Sequence, residues 1–217
     1  MRGLVLCVFL FSALLAARAE DLMGSDRNAY GREVRLSVDT LDGDRYATVT
    51  GRVLMEGTLA APARLFSDVA GLPSWIDNLV AVKEIDARGP TDRTVYMRYS
   101  APAGFDDRDG VMRFVAVREA PTVITLKFED MAAFVLATDA VRMTDVRGRF
   151  RVEQVAPGIL AVEFRLHYDS AARPVVLANL SVKRQVQQTL VRMRHSIEVS
   201  LRNATLDAAL AHALDRP

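Results

Sequence analysis

The sequence predicts an α+β domain in which a curved antiparallel β-sheet wraps a long C-terminal helix. Three observations predict it: a hairpin pattern near the start, alternating segments through the middle, and an amphipathic pattern from Pro174 to about Asn203. Period-two alternation is typical of strands with one buried face, and spacings of three and four are typical of a helix. No linker rich in proline, glycine or serine separates these patterns, so we expect one domain.

The hairpin is the first element. Apolar and polar residues alternate over Glu33–Asp39 and again over Tyr46–Leu59, and Leu41–Asp44 supplies turn residues between them. Two such runs around a short turn are typical of a β-hairpin.

Two short helices are expected after the hairpin. The first covers Ala60 to about Val69, because Pro62 suits a first helical turn. Gly71–Pro73 ends that helix, and a second helical stretch follows around Trp75–Leu79.

A meander of antiparallel strands follows. Each segment has period-two patterning with β-branched or aromatic residues, and Gly-Pro, Ala-Pro or Pro-Gly pairs lie between several of them. The predicted strands are Lys83–Asp86, Thr94–Ser100, Gly110–Glu119, Thr122–Phe128, Val146–Val155 and Ile159–Tyr168.

The last long element is an amphipathic helix, in which the apolar positions recur at spacings close to three and four. These positions are Leu177, Leu180, Val186, Leu190, Met193, Ile197 and Leu201. We expect this stripe to face the sheet. A further short helix, Leu206–Leu214, extends the long helix or caps one edge.

The N-terminus has the pattern of a secretory signal peptide. Arg2 precedes an apolar run from Leu4 to Ala17, and small residues up to Ala19 are followed by acidic ones. We expect cleavage after Ala19, which leaves residues 20–217 as the domain, with a core of about 33–203. The apolar run is shorter than the roughly 20 residues that span a bilayer. The sequence therefore predicts a periplasmic or secreted protein.

Charge and cysteine content exclude several classes. The loss of Arg2 and Arg18 changes the formal net charge from +1 to −1, which argues against a nucleic-acid partner. Cys7 lies within the predicted signal peptide, so the mature chain has no disulfide and no cysteine ligand or nucleophile. The lack of disulfides in a small exported protein favours a bacterial envelope.

Several local sequences, in this order, resemble the START (StAR-related lipid-transfer) family, a helix-grip group of the SRPBCC superfamily. Gly57–Pro62 followed by Leu72–Trp75 resembles the segment in which a helix and a tryptophan close one end of that family's cavity. Asp107–Val111 resembles its Arg-Asp element. Pro174–Asn179 continuing into Gln188–Arg194 resembles its C-terminal helix. The chain is thereby identified as a bacterial exported member.

The resemblance implies a cavity between the concave face of the sheet and the last helix. It implies a soluble protein that binds or transfers one sterol-like, hopanoid-like or phospholipid molecule, makes transient membrane contact and is not an enzyme. A lipid would suit such a cavity, because burial of apolar ligand surface gains roughly 25 cal/mol per Å². No cofactor is implied, and the oligomeric state is open.

Large apolar side chains on the strands and the last helix are the candidate ligand contacts. Met97 and Tyr99 share one face of a strand, and Met112 and Phe114 share one face of the next. Ordinary core packing is the alternative role for each. The full set is Trp75, Met97, Tyr99, Met112, Phe114, Phe128, Phe134, Phe150, Phe164, Leu177, Leu180, Val186, Leu190 and Met193, and Leu136 adds apolar surface.

Polar candidates lie on the opposite strand face. Tyr96 and Arg98 would orient a polar ligand head if they point inward, although Arg98 would then need a carboxylate partner. The alternative is a solvated Arg98 on the convex face. We expect Arg108 and Asp109 to form a local ion pair that fixes the start of a strand.

Two other classes of function remain. An aromatic cyclase or hydrolase on the same fold would need a buried polar pair at the cavity, and His167 beside Tyr168 is the best acid–base candidate. An envelope protein with a filled core and no ligand is the other alternative. His167, His195 and His212 are widely spaced, so we expect no metal site, and the GxSxG motif of serine hydrolases is absent.

Overall fold

The structure is a computed structural model that describes residues 31–40, 44–131, 134 and 137–215. The predicted signal peptide, turn residues 41–43 and Leu136 lie outside the described residues. The described strands are β1 (Arg35–Asp39), β2 (Thr48–Glu56), β3 (Leu79–Gly89), β4 (Asp92–Tyr99), β5 (Arg108–Ala120), β6 (Val123–Asp130), β7 (Val141–Arg142), β8 (Thr144–Ala156) and β9 (Ile159–Asp169). The helices are α1 (Ala60–Ser67), α2 (Leu72–Trp75), α3 (Val175–Ser196), which continues into a π-helical turn (Ile197–Leu201), and α4 (Ala208–Leu214).

The described strands form one sheet in the order β1-β2-β9-β8-β6-β5-β4-β3, with β7 beside β5. Every pairing is antiparallel except the short one between β5 and β7. The predicted hairpin is β1 and β2, and each predicted strand of the meander is present, although Ser100 and Thr122 lie just outside β4 and β6. The structure confirms the predicted α+β helix-grip class.

The inward face of the sheet follows directly from the period-two alternation. Leu126 pairs with Phe150, and Phe150 with Phe164, so these side chains lie in one row across three strands. Two glycines make room on this face. A Cβ atom at Gly148 would lie 2.1 Å from Cζ of Phe128, and one at Gly51 would lie 2.6 Å from Cδ1 of Leu190.

Helix α3 packs across the inward face, mainly against β2 and β9. Val182, Val186, Leu190 and Met193 are fully buried, and burial of each such side chain stabilises the fold by about 1.5–3 kcal/mol. The predicted stripe is correct from Val186 onward.

The prediction is wrong for the first turns of α3, where Ala178 is buried and Leu177 and Leu180 are about half exposed. Ala178 and Val182 continue the buried row at spacings of four, so the two leucines lie on another side of the helix. Apolar surface is therefore left uncovered at this end of α3.

Polar contacts fix the position of α3 along the sheet. Oδ1 of Asn179 accepts a hydrogen bond from the backbone N–H of Ala47 at 2.9 Å. Farther along, Arg192 forms an ion pair of 2.8 Å with the buried carboxylate of Asp77. Among the described residues, no helix is both long enough and apolar enough to cross a bilayer.

Candidate functional site

An inner cavity of about 40 Å³ lies between the concave sheet face and the segment around α2. Most of its wall is apolar, and its larger lining residues include Phe66, Trp75, Met97, Met112, Phe128 and Phe150. The volume suits about one water molecule. Side chains therefore fill most of the interior.

Stacked aromatic rings account for the small volume. The rings of Phe150 and Phe164 are parallel within 6° at a centroid distance of 3.9 Å. Phe114 stacks on Phe128 at 5.3 Å, and Trp75 meets Phe150 edge-on at 5.7 Å. Such pairs add about 0.5–1.5 kcal/mol each beyond the area they bury. The cluster is both the core and the cavity wall.

Trp75 contributes an unused hydrogen-bond donor to this wall. Its side chain is 1% exposed, and its indole N–H has no acceptor among the described residues. A buried donor without a partner costs about 1–3 kcal/mol. This N–H is available to an acceptor atom of a ligand.

An outer groove of about 450 Å³ lies beside the inner cavity. It lies between the first turns of α3, the β4–β5 loop and the segment after β9. Its apolar wall includes Pro102, Phe105, Leu177 and Leu180. This volume is within the 300–1,000 Å³ range of small-molecule sites.

Four residues line both spaces and form the junction between them: Tyr99, Met143, Tyr168 and Gln185. The Tyr168 hydroxyl donates a hydrogen bond of 3.0 Å to Oε1 of Gln185. Burial raises the pKa of both Tyr99 and Tyr168, and their mutual electrostatic interaction raises that of Tyr99 further. Both junction tyrosines are therefore neutral hydroxyl groups at neutral pH.

The fold has clear relatives among solved structures. A STAR-related lipid transfer protein from Xanthomonas axonopodis superposes with a TM-score of 0.68 at 22% identity, over 76% of this chain and 93% of that one. Human StAR-related lipid transfer protein 5 gives a TM-score of 0.65 at 14% identity, over 86% and 95%. Human STARD10 gives 0.65 at 14% identity, over 75% and 68%. The chain has the START helix-grip fold.

No known protein-family model and no curated protein matches the sequence. At identities of 22% and below, these structural relatives establish the fold alone. The function of this START-fold chain must therefore be argued from its own side chains.

The START fold distributes the predicted ligand contacts over three places. The first group lines the inner cavity: Trp75, Met97, Tyr99, Met112, Phe114, Phe128, Phe150 and Phe164. Leu177 and Leu180 line the outer groove, as does Tyr99. Phe134, Val186, Leu190 and Met193 line neither space. The last three pack α3 on the core, whereas Phe134 is partly exposed.

The predicted polar residues lie on the outer face of the sheet. Arg98 forms ion pairs with Asp107 at 2.8 Å and Asp139 at 2.7 Å. Burial raises the pKa of Tyr96, and the nearby carboxylate of Asp109 raises it further. Neither Tyr96 nor Arg98 lines the inner cavity or the outer groove.

The predicted ion pair between Arg108 and Asp109 is wrong, because neighbouring strand residues point to opposite faces. Asp109 is fully buried and pairs with Arg142 at 2.7 Å on the outer face. Arg108 points toward the outer groove, where its Nε donates to the carbonyl oxygen of Ser170 at 2.7 Å. Sequence reasoning thus missed Arg108 as a groove residue.

His167 also faces away from both cavities. Its Nδ1 lies 3.2 Å from Oγ1 of Thr48, and its Nε2 lies 3.2 Å from Asp145 and 3.3 Å from Asp44. These two carboxylates and His167 form a group with the ligand types of a metal site. The guanidinium of Arg147 forms ion pairs with both carboxylates. Its positive charge therefore balances part of the negative charge that a metal ion would otherwise balance.

Residues of the junction and the groove were largely missed from the sequence. Met143 lies in a segment without clear period, Gln185 is on the polar side of the α3 pattern, and Phe105 is in a loop. The signal that the sequence offered for this group was Phe105, an aromatic residue in a loop beside Asp107–Val111.

Proposed function

We propose that the protein binds one lipid or other apolar molecule in the outer groove and the adjoining inner cavity, and carries it through an aqueous compartment. The observation that supports this most directly is the apolar groove of about 450 Å³ that shares Tyr99, Met143, Tyr168 and Gln185 with the inner cavity. Apolar ligand surface buried there gains roughly 25 cal/mol per Å².

The apolar chain of a ligand that passes the junction must displace protein side chains, since the inner cavity measures only about 40 Å³. Met97, Met112 and Met143 line this path. Methionine has flexible torsions and adapts to irregular space at low cost. The proposal therefore includes an inner cavity that expands as these methionines change rotamer.

Membrane contact is proposed at the rim of the outer groove. Phe105, Val176, Leu177 and Leu180 are exposed apolar residues of the β4–β5 loop and the first turns of α3. Exposed apolar side chains grouped at one site are typical of membrane or partner contacts. The named relatives are lipid transfer proteins, which agrees with this proposal.

Export is proposed from residues 1–19 of the sequence, which have the charge, apolar run and small residues of a signal peptide. Cell fractionation checks this: the protein should be found outside the cytoplasm, with an N-terminus at Glu20. An uncleaved cytoplasmic protein would contradict export and leave the binding proposal standing.

Lipid binding is tested by native mass spectrometry of the protein purified from its own host, followed by extraction and analysis of the released molecule. A stoichiometric apolar ligand is the expected result. Trp75 is the chain's single tryptophan and lines the inner cavity, so its fluorescence should shift during titration with lipid. A protein that carries nothing and takes up no offered lipid would overturn the proposal and favour the filled-core alternative.

The cyclase or hydrolase alternative is weakened by the position of His167. The acid–base pair of that alternative must reach the ligand, whereas His167 pairs with Asp44 and Asp145 away from both cavities. The variant His167→Ala should therefore lose about 1–3 kcal/mol of stability through lost packing and hydrogen bonds, and ligand uptake by the folded protein should be unchanged.

A further inference from the structure

The outer groove contains positive charge without acidic partners. Its described lining includes Arg108, Arg173 and Arg184 and no aspartate or glutamate. None of the three forms an ion pair with a described carboxylate. The groove is therefore both apolar and cationic.

Most of the other described arginines, in contrast, form an ion pair with a carboxylate. Arg52 pairs with Glu163 at 3.0 Å, and Arg113 with Asp92 at 2.7 Å. Carboxylates are not scarce, since the chain has 27 acidic residues against 28 lysines and arginines. Three arginines without carboxylates in one concave site are a local feature that the overall charge balance does not explain.

Arg108 is held in position by the backbone around it. Its Nε donates to the carbonyl oxygen of Ser170 at 2.7 Å, and its Nη1 donates to the carbonyl oxygen of Asp106. A guanidinium carries five N–H donors. Its Nη2 donates no hydrogen bond to a described residue, so this end of the fork is oriented and available.

Arg173 and Arg184 approach the groove from the helix side. Arg173 lies just before α3, and Arg184 lies one turn beyond Leu180 and two turns beyond Leu177. Residues at these spacings lie on one side of a helix. Positive charge therefore flanks the two leucines along the same wall of the groove.

We propose that the ligand is an anionic amphiphile whose carboxylate or phosphate head lies among Arg108, Arg173 and Arg184, with its apolar chain toward the junction residues. Guanidinium groups bind both head types through paired, charge-assisted hydrogen bonds. This inference rests on the proposed lipid-binding function and names the class of ligand.

The same arginines would also attract the surface of an anionic membrane. A titration with dodecanoate and dodecanol in vesicle-free buffer, at concentrations below micelle formation, isolates the ligand head. The two probes share a chain length and differ in charge, and Trp75 fluorescence and calorimetry report binding. We expect dodecanoate to bind at least about tenfold more tightly, which corresponds to about 1.4 kcal/mol.

The variants Arg173→Gln and Arg184→Gln should each remove most of this preference and leave dodecanol affinity unchanged. Lys183→Gln is the matched control, because it removes the same charge from the adjacent residue of α3, which lines neither space. Lys183→Gln should retain the wild-type preference. A preference that survives in both arginine variants would overturn the assignment of the head to these residues.

Equal affinity for the two probes would overturn the anionic preference and leave lipid binding intact. If the arginine variants then also lost affinity for anionic vesicles, the arginines would serve the membrane alone. Failure of the protein to bind either probe would overturn the proposed function together with this inference.

Discussion

The hydroxyl of Tyr168 donates a hydrogen bond of 3.0 Å to Oε1 of Gln185, and this contact joins strand β9 to helix α3 where the outer groove meets the inner cavity. Burial raises the pKa of Tyr168, so the hydroxyl keeps its proton over the physiological range. A ligand that moves from the groove to the cavity must pass this hydrogen bond.

Replacement of Tyr168 by phenylalanine removes the hydrogen bond and keeps the ring. We expect Tyr168→Phe to lose about 1 kcal/mol of stability and to take up ligand faster, because the sheet and the helix are joined less firmly at the junction. Urea unfolding gives the stability, and stopped-flow fluorescence of Trp75 gives the uptake rate.

Tyr99→Phe is the control for this prediction. The hydroxyl of Tyr99 contacts Sδ of Met97 at 3.6 Å within the same strand, so its removal does not loosen the helix from the sheet. An uptake rate for Tyr168→Phe no faster than that of the control would show that the Tyr168–Gln185 contact does not limit entry.

The exposed leucines of α3 predict how the protein meets a membrane. Leu177 and Leu180 are 47% and 56% exposed, so replacing both with serine should change stability little. The double variant should bind neutral phosphatidylcholine vesicles about tenfold more weakly, because less apolar surface enters the bilayer. Vesicle flotation of ligand-free protein measures the effect. Neutral lipid is used so that attraction between the arginines and anionic headgroups does not contribute to binding.

Val199→Ser is the matched control for the leucines. Val199 is 68% exposed but lies in the π-helical turn beyond α3, away from the groove. Equal loss of vesicle binding in this variant would indicate general adhesion through apolar surface and would contradict docking through the rim.

The phase of the α3 stripe shows where sequence patterns reach their limit. Residue size favours Leu177 and Leu180 as the buried pair, whereas an unbroken spacing of four back from Val186 favours Ala178 and Val182. The contact of Val186 and Leu190 with Gly51 determines the phase, and that contact depends on pairing between distant strands. The helix was predictable from its pattern, whereas the choice of buried residues in its first turns required the tertiary packing.

The outer-face network of His167 illustrates a second limit. Strand alternation correctly separates His167 from its neighbours Leu166 and Tyr168, which line the inner cavity. Its partner Asp145, however, has a positive φ of 52° at an irregular register of β8. A positive φ or a register shift of this kind is not evident from the residue types. The grouping of Asp44, Asp145 and His167 could therefore not be predicted from the sequence.

The buried carboxylate of Asp109 predicts a pH dependence of stability. Burial alone would raise its pKa, but hydrogen bonds from Arg142 and Thr138 outweigh burial and lower it. Because the folded pKa is below the unfolded value of about 3.9, the ionised form stabilises the protein above that value. This contribution is lost as the pH falls through the folded pKa.

Asp109→Asn should therefore flatten the decline of stability on acidification below about pH 4, as measured by urea midpoints across a pH series. Arg142→Gln should have a larger effect at neutral pH, about 3–5 kcal/mol, because it leaves a buried charge without its main partner. Arg165→Gln, at an exposed position on β9, is the control and should change stability by less than about 0.5 kcal/mol. An acid profile of Asp109→Asn identical to wild type would contradict the lowered pKa.

The approach of Gly148 to Phe128 predicts that the aromatic cluster tolerates no added volume there. A Cβ at Gly148 would lie 2.1 Å from Cζ of Phe128, and that ring is stacked on Phe114 at 5.3 Å. Gly148→Ala must push the ring into a filled interior. The cost should be about 1–3 kcal/mol, measured by urea unfolding.

Two further variants separate crowding from a general cost of losing glycine. Gly31→Ala should be nearly neutral, because the nearest atoms to its Cβ position lie 3.6 Å away or farther. Phe128→Leu combined with Gly148→Ala should cost less than the sum of the two single changes, since the smaller side chain removes the clash. Strict additivity would mean that the ring of Phe128 is not what confines position 148.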